Sequence, residues 1–334
     1  LPAGRAPGAA AGCLIFGATG QDGRLLAHRF ARAGYRVVGV SRQPAPDLAR
    51  AVAGFRSCFD GLVGGFTVDP AAVADLVEAA RPDIIVNMAG LSSVGASFGR
   101  PMETFLDNGH LNLFILEALR RSGSGARYVF ASSGEVFGTT AASGADAFSP
   151  FDPKSPYAVS KASAAMVVRN YRDVYGVRAG VAYLFPHESP LRGPAFVVPK
   201  IVRSLLDLRA GRIGELRFGR LDVIRDWGWA DDYMDAVFRQ AQLDPATDLV
   251  IAGGRGVSLL DMVRHGLRRV GIAEDGLLRI DPDLVRPADL PCSVGDPRRT
   301  FDLIGWAASC TGPGVLDRLF DHAMAEERPE TPAA

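Results

Sequence analysis

Tyr157 and Lys161 stand four residues apart in Tyr157-Ala158-Val159-Ser160-Lys161, after Ser155-Pro156 and before the helix-favouring run Ala162-Ser163-Ala164-Ala165-Met166. That spacing puts both side chains on one face of a helix. An ammonium beside a phenol favours the phenolate, so the tyrosine becomes a usable proton acceptor. The same lysine can hydrogen-bond a cofactor ribose. Upstream, Ala131-Ser132-Ser133-Gly134-Glu135 closes an apolar, strand-like run. Ser133 at a strand end can bind a reacting hydroxyl, and Glu135 adds a carboxylate two residues later. Taken alone, Tyr157 and Lys161 also describe a surface helix pair, and Glu135 a carboxylate that caps backbone N–H groups.

The element preceding them in the chain argues for chemistry. Cys13-Leu14-Ile15-Phe16 reads as a first strand and Arg24 to Phe30 as a helix, with Gly17-Ala18-Thr19-Gly20-Gln21-Asp22-Gly23 between them. Glycines at this spacing let the backbone turn tightly and approach a pyrophosphate. The helix start then offers free N–H groups and the positive end of its dipole to that anion.

Strands and helices alternate through the first half of the chain. Tyr35 to Val40, Asp83 to Ala89 and Arg127 to Ala131 read as strands, and Pro70 to Ala80 and Leu111 to Arg121 as helices. Continuous apolar strands alternating with helices predict an α/β fold, with a parallel sheet covered on both faces and ligands at the carboxyl ends of its strands. From Pro186 onward prolines and arginines are frequent and the alternation weakens, which predicts a smaller substrate domain. Leu249-Val250-Ile251 is expected to return to the sheet. The expected division is a dinucleotide-binding domain over 12–185, with chain returning near 221–256, and a substrate domain over 186–220 and 257–325.

Bulk properties narrow the function. The 334 residues are 48% hydrophobic, and 37 basic side chains balance 37 acidic ones, so no global field draws the chain to nucleic acid or membrane. No apolar run approaches the roughly 20 residues of a membrane span. The cysteines, Cys13, Cys58, Cys292 and Cys310, form no C-x-x-C pair. That spacing argues against a disulfide framework or a metal site and for a reducing cytoplasm. Leu1 to Gly12 is rich in Ala, Gly and Pro, and is expected to be a leader outside the fold.

Together these residues resemble the extended short-chain dehydrogenase/reductases. The glycine loop, Ser132-Ser133-Gly134-Glu135, Leu184-Phe185-Pro186-His187-Glu188-Ser189-Pro190 and Arg225-Asp226-Trp227-Gly228 resemble the GDP-mannose 4,6-dehydratase family, in order, from about residue 12 to about residue 310. The resemblance implies a Rossmann-type doubly wound sheet with a smaller, mostly C-terminal substrate domain. It also implies a redox-neutral reaction. Tyr157 takes the sugar C4 hydroxyl proton as hydride leaves C4 for a nicotinamide. Glu135 then removes the C5 proton, water leaves C6, and hydride returns to C6. The product is a 4-keto-6-deoxy nucleotide sugar.

The same resemblance assigns Gly17, Thr19, Gly20, Gln21, Asp22, Gly23, Ala89, Tyr157, Lys161 and His187 to the cofactor. It assigns Ser92, Arg192, Lys200, Arg225, Arg286 and Asp289 to the nucleotide sugar. Cations of this kind grip a diphosphate, arginine bidentately, and Asp289 can accept from a guanine edge. The second strand ends in Ser41-Arg42 rather than an acid, so Arg42 can accommodate a 2′-phosphate, and NADP is expected ahead of NAD. Pro186, Gly134 and Asp289 depart from the family's usual asparagine, serine and glutamate, which leaves room for a related hexose or heptose as substrate. The segment Gln43–Gly65 is short for the family's cofactor loop, so a homodimer is expected ahead of a tetramer. A GDP-4-keto-6-deoxymannose reductase or a nucleotide-sugar epimerase is the enzyme alternative. A non-catalytic NADP-binding regulatory protein is the alternative of another class.

Overall fold

A computed structural model describes residues 10–326. The expected leader lies largely outside the described residues, but its last residue does not: Gly12 opens the first strand, and the Ala11 carbonyl accepts from Arg36 N at 2.8 Å. The strands are β1 (Gly12–Phe16), β2 (Arg36–Val40), β3 (Gly61–Val63), β4 (Ile84–Asn87), β5 (Arg127–Ser133), β6 (Ala179–Leu184), β7 (His187–Glu188), β8 (Leu216–Phe218), β9 (Ile224–Asp226), β10 (Gly228–Trp229), β11 (Leu249–Ile251), β12 (Gly256–Ser258), β13 (Leu278–Ile280) and β14 (Cys292–Ser293). The helices are α1 (Gln21–Arg32), α2 (Ala45–Ala51), α3 (Pro70–Ala80), α4 (Val94–Ser97), α5 (Pro101–Ser122), α6 (Pro156–Tyr175), α7 (Val197–Arg209), α8 (Ala230–Gln240), α9 (Leu259–Val270), α10 (Arg298–Ile304) and α11 (Pro313–Glu326).

Seven parallel strands form the central sheet in the order β3-β2-β1-β4-β5-β6-β11. Strands β1, β4 and β6 are buried along their whole length, as helices on both faces require. Chain order reverses between β1 and β4, and that crevice is where such sheets bind ligands. Phe16 pairs with both Val40 and Asn87, so three strands end level and release the glycine loop, Ser41 and Met88 side by side.

Local signals explain most boundaries. Helix α3 spans the residues expected of it, because Asp69 accepts from Ala71 N and Ala72 N at 3.0 and 2.9 Å and Pro70 fits the first turn. Helix α5 begins at Pro101, well before the expected Leu111. Its first half carries Asp107, Asn108, Gly109 and His110, which interrupt the apolar period. Buried polar pairs replace that period. Asn108 Nδ2 donates to Ser160 Oγ at 2.9 Å, and Asn112 Oδ1 accepts from Asn87 Nδ2 at 3.0 Å and from the Tyr128 hydroxyl.

The main core surrounds the sheet. A second apolar cluster lies between α7, α9 and α11, with Ile201, Leu205, Met262, Val263, Leu316 and Phe320 at its centre. Strand β9 stands between β12 and β14 beside this cluster. At its end Asp226, fully buried, accepts from Gly253 N and Gly254 N at 2.8 Å each and from Gly295 N at 3.3 Å. Gly253 and Gly254 follow β11, so one carboxylate fastens the exit of the main sheet to the small sheet.

Replacing Asp226 by alanine strands those amides. Each unpaired buried donor costs about 1–3 kcal/mol, so the unfolding midpoint of Asp226→Ala is expected to fall by roughly 5 °C or more. Asp226→Asn keeps an acceptor and should recover much of the loss. A calorimetric scan of the three proteins checks this, and equal midpoints for parent and alanine variant would refute it.

Candidate active site

The glycine turn after β1 is shaped for close approach. Gly17 has φ +81°, and a Cβ there would lie 2.7 Å from Ala89 N; a Cβ at Gly23 would lie 2.2 Å from the Gly17 carbonyl. Gly20 begins α1 with no side-chain cap, so the helix's first donors face outward without a blocking group. Ala89, at the exit of β4, gives its N–H to Asn87 Oδ1 at 3.0 Å, and Thr19 Oγ1 lies 3.2 Å from Ser41 Oγ. A side chain at Gly17 or Gly23 would strike backbone, so glycine keeps the turn tight, and the uncapped start of α1 leaves N–H groups that suit the pyrophosphate of a dinucleotide.

A cavity of about 610 Å³ opens beside it at the strand ends. It gathers Ser133, Glu135, Tyr157 and Lys161, and also Asp22, Ser92, His187, Arg192, Lys200, Arg225, Arg286 and Asp289. Gly17, Thr19, Gly20, Gln21, Gly23, Ala89 and Arg42 do not line it. The first six belong to the turn and strand exit just described. Arg42 is exposed after β2 and pairs with Asp107 Oδ1 at 2.8 Å.

Ser155 caps α6, accepting from Ala158 N at 3.1 Å, and so sets Tyr157 and Lys161 in the first turns against β5. Both are buried. Lys161 Nζ donates to the Ala131 carbonyl at 2.8 Å and lies 5.0 Å from the centre of the Phe130 ring. Burial lowers its pKa to about 8, with Asp22 pulling the other way. The expectation that Lys161 draws the Tyr157 phenol down is not met by this arrangement. Burial pushes Tyr157 up to about 12, and the groups that oppose this are the hydrogen-bonded Ser133 hydroxyl and Arg192.

Glu135 is not a cap. Ser133 Oγ takes that role, accepting from Glu135 N at 3.2 Å. The Glu135 carboxylate lies 4.0 Å from Arg225 Nε. Burial raises its pKa, Arg225 and Arg286 pull it down, and Asp289 raises it again.

Arg225 is buried and held from several sides. It donates to the Ile224 and Leu290 carbonyls at 2.9 and 2.7 Å and to Asp289 Oδ1 at 2.7 Å. Asp289 therefore spends one oxygen on Arg225, with Arg286 Nη1 3.8 Å from the same atom. Lys200 lies 5.8 Å from the centre of the Phe218 ring. Ser92 is exposed at the cavity rim.

Two motifs far apart in sequence form the opposite wall. Strand β7 pairs with β10, Gly228 against His187 and Trp229 against Glu188, and Gly228 N donates to the Pro186 carbonyl at 2.9 Å. This wall is tied to the glycine loop. His187 Nε2 lies 3.1 Å from Asp22 Oδ1 and its Nδ1 2.6 Å from the Phe185 carbonyl. Gln21 Oε1 accepts from Ser189 Oγ at 2.8 Å. Gln21, Asp22 and His187 thus engage one another. Burial alone would lower the His187 pKa, but Asp22 and the Phe185 carbonyl raise it. Burial would likewise raise Asp22, but His187 holds it well below the usual carboxylate range.

Sequence reasoning assigned no role to Asn108, Asp226 or Glu188. The last two lay inside motifs quoted for their neighbours, and Asn108 carried only the weak signal of a polar residue in a helix.

A sequence profile of the GDP-mannose 4,6 dehydratase family matches residues 14–318. The GDP-mannose 4,6-dehydratase of Yersinia enterocolitica is 32% identical over 333 residues, covering 89% of this chain and 90% of that protein. This chain belongs to the GDP-mannose 4,6-dehydratase family. A Caenorhabditis elegans GDP-mannose 4,6 dehydratase 2 is 31% identical, covering 95% of this chain and 90% of that protein. Solved structures share the fold. dTDP-glucose 4,6-dehydratase from Bacillus anthracis in complex with NAD aligns with a TM-score of 0.81 at 18% identity, covering 95% and 98% of the two chains. RMD from Pseudomonas aeruginosa complexed with NADPH aligns at 0.76 and 22%, covering 95% and 99%. As in the wider dehydratase and epimerase group, the central sheet is a doubly wound Rossmann type.

The departures from the usual dehydratase pattern now have positions. Pro186 lines the cavity beside Phe185. A Cβ at Gly134 would lie 2.8 Å from the Phe185 ring, so no serine fits there as the ring is seated.

The latch between Asp22 and His187 has a defined pH window. His187 is raised, so its contribution to stability is full below the unfolded pKa near 6.5 and fades as pH climbs through the folded value. Asp22 is lowered, so its contribution is full above about 4 and fades as pH falls. His187→Asn is therefore expected to lose more stability at pH 5.5 than at pH 9, measured as urea midpoints. An equal loss at both pH values would show that the histidine acts by packing alone.

Proposed function

We propose that this enzyme converts GDP-mannose, or a related NDP-hexose or heptose, to its 4-keto-6-deoxy product with no net oxidation. The observation that carries the reading is Glu135, a half-buried carboxylate in the same cavity as Ser133, Tyr157 and Lys161. Simple reduction of a ketone needs a proton carrier such as Tyr157; dehydration also needs a base for a carbon-bound proton.

A nicotinamide dinucleotide, held by the glycine turn and Lys161, supplies the hydride acceptor and donor within one turnover. The protein's own groups handle protons and charge. Tyr157 takes the proton of the sugar C4 hydroxyl, and Ser133 holds that hydroxyl. The C4 ketone acidifies the C5 hydrogen, and Glu135 removes that proton. Glu135 then returns it to the departing C6 hydroxyl, which leaves as water, and C5 regains one proton, equal to the one Tyr157 took from O4, so both groups end the turnover as they began. A carboxyl with a raised pKa is the stronger base for the first task and retains the proton for the second. Arg225, Arg286 and Lys200 face the substrate diphosphate, with Asp289 orienting Arg225.

The supporting reading for the cofactor is NADP. Arg42 stands at the end of β2, where a 2′-phosphate arrives, and its exposed pairing with Asp107 is weak enough to be exchanged. The division into a dinucleotide-binding lobe and a later substrate lobe is part of the same proposal. Exposed Met102 and Phe105 on α5 and Val159 and Met166 on α6 support a homodimer paired through these helices. Free, scattered cysteines suit a reducing cytoplasm.

Incubation with GDP-mannose and catalytic NADP is expected to yield a product lighter by one water, with no net change in NADPH absorbance. Glu135→Gln should lower kcat by about 10²–10⁴-fold, the usual worth of a general base, while still binding dinucleotide. Stoichiometric NADPH consumption on a 4-keto sugar would instead favour the reductase. Arg42→Ala should weaken NADP about tenfold, the loss of one charge-assisted contact, and leave NAD affinity unchanged. An equal effect on both would remove Arg42 from the 2′-phosphate site.

A further inference from the structure

Glu188 sits on β7 opposite Trp229 and is 3% exposed. Its Oε2 has no hydrogen-bond partner, and neither does Nε of Arg192. The two atoms face each other at 3.7 Å, and both residues line the main cavity. A buried carboxylate without a close partner is costly to keep. Burial pushes the Glu188 pKa up to about 7, while Arg192 and His187 pull against that rise.

The Arg192 backbone is fixed by other contacts. Arg192 N donates to the Ser189 carbonyl at 3.0 Å, Leu191 N to Ser189 Oγ at 3.2 Å, and Arg24 Nη2 from α1 to the Leu191 carbonyl at 3.4 Å. Its guanidinium lies 3.7 Å from the centre of the Phe196 ring. The segment that carries Arg192 is tied to the glycine loop, with Ser189 Oγ donating to Gln21 Oε1 at 2.8 Å and Gln21 Nε2 to the His187 carbonyl at 3.4 Å, whereas Arg225 stands beside Asp289 and Glu135. The cations therefore fall into two groups, and Arg192 belongs to the one beside the dinucleotide cradle.

We propose that Glu188 is the positioning residue for Arg192, its buried carboxylate holding the guanidinium over Phe196 and toward the dinucleotide site. The proposal rests on the reading that a nicotinamide dinucleotide binds at the glycine turn. Phe196 supports the guanidinium from one face, and Glu188 supplies the charge that fixes its direction in the plane. Without Glu188 the guanidinium loses the charge that fixes its direction and is no longer held beside the cradle.

The test is a double-mutant cycle on the full chain, read as NADPH affinity by fluorescence titration. Glu188→Gln and Arg192→Met are each expected to weaken NADPH about tenfold, and the double variant to be no weaker than Arg192→Met alone. Glu188→Asp keeps the charge and should fall between parent and Glu188→Gln, which also covers a glutamine variant that folds poorly. Additive losses, or Glu188 variants with the parent's affinity, overturn the proposal while leaving the dinucleotide site intact. A parent that binds neither NADPH nor NADH overturns the dinucleotide reading and this proposal together.

Discussion

A parallel sheet leaves its reactive edge open, and something must close that edge without filling it. Here the closure hangs on one carboxylate. Asp226 collects amides from the loop leaving β11 and from Gly295, two residues past the end of β14, and so brings the small sheet against the large one. Its neighbour Arg225 enters the cavity from the same strand, and β10 follows at once to pair with β7. Removing the anchor would free the wall that carries His187 and the strand that carries Arg225 together. Structural support and a charge lining the cavity are thus encoded in adjacent residues of one short motif.

The charged groups of the molecule divide by distance. Asp248, which joins α6 to the sheet edge, meets Arg169 at 2.8 Å, Arg172 at 2.6 Å and Val181 N at 3.0 Å. Its needs are met within the fold. Half-buried Glu135 and buried Glu188 stand 4.0 and 3.7 Å from their arginines. Separation of this order keeps attraction while leaving lone pairs and protons uncommitted, and low polarity in the cavity enlarges the attraction. Burial raises the pKa of both carboxyls, and the arginines at these distances offset that rise only in part. Asp248 thus serves the scaffold, while Glu135 and Glu188 keep carboxylate oxygens uncommitted at the cavity.

Much of this was legible in the chain. The strands at 13–16, 35–40, 83–89 and 127–131, the helix at Pro70–Ala80, the return of Leu249–Ile251 and the meeting of Ser133, Tyr157 and Lys161 follow from local periodicity, capping residues and motif order; the central strand Ala179–Leu184 and the short strands of the small sheets do not. What escaped has a common cause. Asp289 is committed to Arg225, 64 positions away in sequence, and such pairing has no local signature. Helix α5 hid its first half because Asn108 and Asn112 are buried through hydrogen bonds, which an apolar period cannot reveal. The shift of Tyr157 went the other way from the simple expectation because proximity of a lysine is visible in sequence, whereas desolvation is not.

Gly134 carries a consequence for how this chain can change. A Cβ at position 134 and one at position 295 would both crowd the ring of Phe185, at 2.8 and 3.0 Å. Phe185 is itself stacked on Phe137, ring centres 6.4 Å apart, so it has little room to retreat. These positions share one volume, and a bulkier residue at one is admissible only after another has given way. The order in which substitutions can accumulate beside Ser133 and Glu135 is therefore constrained by the ring of Phe185.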